Sequence, residues 1–102
     1  MFVVELFIPL EKPDGTPVDG QVFERIKGDL KERFGGVTAH LQSPAEGAWK
    51  PQAADVIHDR IAIFEVMVED VDTAWWRDYR HQLEGELDQH RILARLHQVT
   101  VL

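Results

Sequence analysis

The chain has no cysteine, which removes disulfides, thiolate nucleophiles and cysteine-ligated zinc from its chemistry and agrees with a reducing compartment. It has no run of lysine or arginine, and 18 acidic residues against 11 basic ones give a formal net charge of −7. That balance lacks the positive footprint by which proteins hold nucleic acid or anionic membranes, so neither partner is expected. No apolar run approaches the roughly 20 residues needed to cross a bilayer. The opening stretch MFVVELFIPL contains Glu5 and carries no basic segment, so it reads as a strand rather than a signal peptide, and a cytoplasmic protein is expected. GxGxxG, GxxxxGK and HExxH patterns are also missing; no cofactor and no resident metal are expected.

What is present is enough for one modest core. With 102 residues, 44% of them hydrophobic, the chain fits a single domain over residues 1–102. Phe2 to Ile8 is rich in Val, Ile and Phe and stops at Pro9, the mark of a buried strand. Two prolines and two glycines in EKPDGTPVDG make residues 11–20 a loop. Val22, Phe23, Ile26, Leu30 and Phe34 then recur at helical spacing, with Asp19 placed to cap the start and Gly35–Gly36 placed to end it. VTAHLQ (residues 37–42) alternates apolar with polar, whereas RIAIFEVMV (residues 60–68) is apolar on both alternating sets, as a central strand would be. From Asp72 to about His90, the positions of Trp75, Trp76, Tyr79, Leu83 and Leu87 repeat the first helical stripe at a constant offset. A last strand is expected from Arg91 to about Val101.

Strand, helix, strand, strand, helix, strand is the order of an α+β domain of ferredoxin-like βαββαβ type, with two helices on one face of a four-stranded antiparallel sheet. In that arrangement the first and third strands are central, the second lies beside the third, and the fourth beside the first. Alternation then sorts the side chains. One face receives Val4, Leu6, Ile8, Ala62, Phe64, Val66 and their apolar neighbours, and the helices cover it. The other receives Val3, Glu5, Phe7, Thr38, His40, Ile63, Glu65, Met67, Leu93, Arg95 and His97, a polar middle in apolar surroundings.

An open apolar face of this kind marks association, so the expected partner is a second copy of the chain, as a homo-oligomer and most simply a dimer, with a small molecule as a further partner. Glu5, His40, Glu65, Arg95 and His97 admit two readings. In one they form a site, with Glu65 or Glu5 as general base and His40 or His97 as its partner, in an enzyme of the dimeric α+β barrel kind; Trp49, Glu5, Arg95 and His97 would then contact the ligand. In the other, acids and bases pair across strands beneath an interface. A metal held by His40, Glu65 and His58 is a third alternative, although the spacing follows no metal motif.

Residues 43–58, SPAEGAWKPQAADVIH, form a connection longer than is usual in a compact domain. Trp49, flanked by Gly47 and Pro51, is expected to anchor it, either as a lid over the sheet face or by packing into a neighbouring subunit. Taken together, RFGGVTAH, SPAEGAWK, IAIFEVMVED and WWRDYRHQLE, over roughly residues 33–96, resemble a group of small bacterial proteins with a ferredoxin-like pattern and an FGGxTA…GAW…FEVMV signature. That resemblance implies the fold and draws attention to Trp49 and Glu65, but it implies no reaction.

Overall fold

The computed structural model describes residues 1–42 and 60–102. They form β1 (Phe2–Pro9), α1 (Gly20–Phe34), β2 (Thr38–Gln42), β3 (Ile61–Val68), α2 (Thr73–Glu86) and β4 (Ala94–Gln98). The four strands make one antiparallel sheet in the order β2-β3-β1-β4. The architecture is α+β, with the first and third strands central, the latter as expected of a run that is apolar on both alternating sets.

Both helices start on an aspartate. The Asp19 carboxylate accepts from the Gln21 backbone N–H at 2.9 Å and Asp72 from that of Trp75 at 3.1 Å, each satisfying a donor that a helix N-terminus leaves without a partner. α1 stops because Gly35 turns into the left-handed region at φ 84° while its N–H still donates to the Lys31 carbonyl at 2.8 Å. α2 is shorter than the sequence pattern suggests: after Leu87, Asp88 takes φ 57°, so His90 lies beyond the helix. β4 is shorter too, beginning at Ala94 rather than Arg91. The Ile92 N–H donates to the Glu84 carboxylate at 2.8 Å, which ties this residue to α2, while the Leu93 carbonyl still accepts from the Phe7 N–H of β1 at 2.9 Å.

One alternating set of strand residues builds the core. Val4, Leu6 and Ile8 of β1 and Ala62, Phe64 and Val66 of β3 join Ile26 and Leu30 of α1 and Trp76, Tyr79 and Leu83 of α2 in one buried cluster. Both helices therefore pack on the same side of the sheet. The end of α1 is fastened to the start of α2 by aromatic contacts: Phe34 stacks on Trp76 at 5.1 Å and meets Trp75 edge-on at 5.2 Å, geometries worth about 0.5–1.5 kcal/mol each beyond the area they bury. Trp75, at the margin of the stripe, packs within the chain, with the Arg33 guanidinium 4.8 Å above its ring. Leu96, directly across from the buried Val4, is itself 44% exposed because β4 is an edge strand. Among the described residues no helix is long and apolar enough to cross a membrane.

Candidate functional site

Strand register decides which polar side chains meet. Glu5 lies directly across from Glu65 on β3 and directly across from Arg95 on β4, and Thr38 of β2 lies across from Glu65. The row Thr38–Glu65–Glu5–Arg95 thus crosses the whole sheet on the face away from the helices. One neighbouring row holds His40, Ile63 and Phe7, the other Met67, Val3 and His97. All five polar residues singled out in the sequence share this face.

The two glutamates sit in different surroundings. Glu5 is only 8% exposed and is the one buried charged residue among the described residues. The Arg95 Nε–H donates to its Oε1 at 2.9 Å, and His97 Nδ1 is 3.7 Å from the same oxygen. The Arg95 guanidinium also lies 4.9 Å over the Phe7 ring, which holds the cation in place. Two carboxylates directly opposite on adjacent strands repel each other; Arg95 offsets that repulsion from the Glu5 side. Among the described residues Glu65 has no such partner. His40 Nε2 stands 3.9 Å from its Oε1, too far for a hydrogen bond and close enough for attraction once the imidazole is protonated.

Glu65 also faces a cavity of about 470 Å³ whose wall includes Phe34, Gly36, Val37, Thr38 and Met67. The end of α1 therefore contributes to the site. Sequence reasoning assigned Gly35 and Gly36 only to ending a helix, and it missed Phe34 and Gly36 as neighbours of Glu65. The short step from Gly36 to Thr38, the β2 residue opposite Glu65, is the signal that connects them. A second cavity, of about 300 Å³, lies on the helix side of the sheet between α2 and β4.

Comparison of the chain with family models, curated proteins and solved structures returns no match. The chemistry of the face is therefore read from its own groups. Glu65 and Thr38 offer a carboxylate and a hydroxyl beside the apolar Phe34, Val37 and Met67, groups of the kind that fix a small polar molecule in pockets generally. Glu5 is occupied by Arg95 and positions that strand edge. Among the described residues no three His, Asp or Glu side chains are grouped to hold a metal ion; His40 and Glu65 supply two, and His58 lies outside the described residues. Trp49 and its connection lie outside them as well.

Proposed function

We propose that the protein works as a homodimer that pairs through the sheet face opposite its helices and binds a small molecule beside Glu65. The observation that carries this reading is the composition of that face: Met67 and Leu93, each 53% exposed, frame the charged row and the buried Glu5. A second copy is the favoured occupant because the face carries both signs. A two-fold arrangement can set the Arg95–His97 edge of one copy over the His40–Glu65 edge of the other, so that one patch complements itself. The strand order and the two-helix layer support the ferredoxin-like arrangement suggested by the resemblance, which pairs in this sheet-to-sheet manner. The lack of cysteine fits a cytoplasmic setting.

Met67→Arg tests the assembly. Its side chain is 53% exposed in the single chain, so the substitution should leave the circular dichroism spectrum of the fold unchanged, while light scattering reports a monomer in place of a dimer and the melting temperature loses its dependence on protein concentration. A wild-type chain that scatters as a monomer well above micromolar concentration would sink the proposal, as would a variant that still dimerises.

The approach of His40 to Glu65 beside the larger cavity favours a second reading: an α+β barrel-type enzyme in which Glu65 takes a proton from a small organic molecule and His40 assists. It predicts that the wild-type protein speeds deuterium exchange from solvent into a small carbonyl compound. Glu65→Gln should slow that exchange by roughly 10²-fold or more with assembly intact. Equal exchange by both proteins removes the catalytic role.

A further inference from the structure

The sheet face away from the helices carries more negative than positive charge. Its strands place Glu5 on β1, His40 on β2, Glu65 on β3, and Arg95 and His97 on β4. The four strands hold no other arginine and no lysine. With both imidazoles neutral, two carboxylates therefore stand against one guanidinium, and that guanidinium is committed to Glu5 by its bond of 2.9 Å. Glu65 is left with His40, whose Nε2 is 3.9 Å from its Oε1. Their side chains are 38% and 46% exposed in the single chain, so water screens the Glu65 charge and the imidazole need not carry a proton.

Pairing through this face removes that water. Two copies bring four carboxylates against two guanidiniums, and a carboxylate closed into an interface without a cation is costly. Two-fold symmetry divides the deficit equally, one positive charge for each copy. Histidine is the side chain whose charge changes between pH 5 and 8. The two imidazoles of the face are not equivalent candidates. His97 Nδ1 is 3.7 Å from Glu5 Oε1, an oxygen that Arg95 already serves, whereas His40 stands beside the carboxylate that has no other cation among the described residues.

We infer that pairing takes up one proton per copy at His40, so that Glu65 enters the interface as an ion pair with an imidazolium. This rests on the sheet-face pairing proposed above and adds its regulation. Because the dimer binds more protons than two single chains, acid favours it by mass action and rising pH dissolves it.

Sedimentation equilibrium of the full-length protein at pH 6, 7 and 8 in constant salt tests the inference. The dissociation constant should rise by roughly tenfold or more between pH 6 and 8. A chain with net charge −7 also repels its copies less as the pH falls, and variants separate that general effect from the proton at His40. His40→Asn should remove most of the rise, and His97→Asn should keep it. Glu65→Gln has no charge to close in, so it should pair at pH 8 about as tightly as the wild type does at pH 6. A wild-type chain that stays monomeric at all three values overturns the pairing itself. One that pairs with the same dissociation constant at pH 6 and 8 leaves the pairing standing and overturns the proton uptake. So does a rise that survives in His40→Asn, or a Glu65→Gln dimer as weak at pH 8 as the wild type.

Discussion

Tyr79 is the only tyrosine of the chain. It is buried in the core, with its hydroxyl donating to Asp29 Oδ2 at 3.0 Å. Burial first, and then the hydrogen bond to the Asp29 carboxylate, push its pKa well above the ordinary 10.0. The folded form thus keeps a neutral phenol at a pH where the unfolded chain begins to ionise. The stability this contributes is complete below about pH 10 and is lost as the pH rises beyond it. Because there is one tyrosine, ultraviolet titration reads it directly: phenolate absorbance should appear near pH 10 in denaturant and only at distinctly higher pH in the folded protein. Matching curves would mean that the hydroxyl is in water. Tyr79 was legible as core from its place in the helical stripe, since Trp76, Leu83 and Leu87 recur with it. The partner Asp29 was not legible, because a contact between two helices fifty residues apart leaves no mark on either helix's own periodicity.

The helices show what local sequence can specify. Asp19 and Asp72 act as caps within two or three residues of the donors they serve, and Gly35 ends α1 by a bond back to Lys31; all of this is written within a single turn. Gly35→Ala should cost about 1 kcal/mol, because φ 84° penalises any Cβ even though nothing stands within 4 Å of it. Gly36→Ala, with the same open space and no left-handed angle, should be close to neutral. Urea unfolding of both variants checks the difference, and equal losses would show that the turn does not depend on a left-handed residue. The start of β4 was misread for the opposite reason: Glu84 claims the Ile92 N–H by a side-chain bond, and no pattern of apolar residues encodes it. The faces of β1 and β3 came out correctly because a period of two needs only the strand itself.

At the level of the whole molecule, two ion pairs join the helices: Arg33 of α1 stands 3.5 Å from the capping Asp72 of α2, and the tighter pair lies near the end of α2. Arg25 of α1 meets the Glu86 carboxylate of α2 with both terminal nitrogens, and Nη2 donates to Oε2 at 2.7 Å. The Arg25 hydrogen bond holds Glu86 below its usual 4.5. A lowered carboxylate pKa contributes stability that is present above 4.5 and disappears as the pH falls through the folded value. Glu86→Gln should therefore flatten the acid limb of the stability curve below pH 4.5 while costing no more than about 1 kcal/mol at neutral pH, since the pair is partly solvated; an unchanged acid limb in urea unfolding would show the pair to be idle. The sequence suggested that Glu65 neighbours the His40 strand and Glu5 the Arg95 strand. It did not reveal that Glu5 and Glu65 oppose each other, because that requires the register of two distant strands. This opposition sets the two halves of the sheet in correspondence. A pseudo-two-fold axis through the middle of the sheet exchanges β1 with β3 and β2 with β4, and under it Glu5 maps onto Glu65 and Arg95 onto Thr38. Arginine pairs with the glutamate of one half, while an uncharged threonine stands opposite its counterpart in the other.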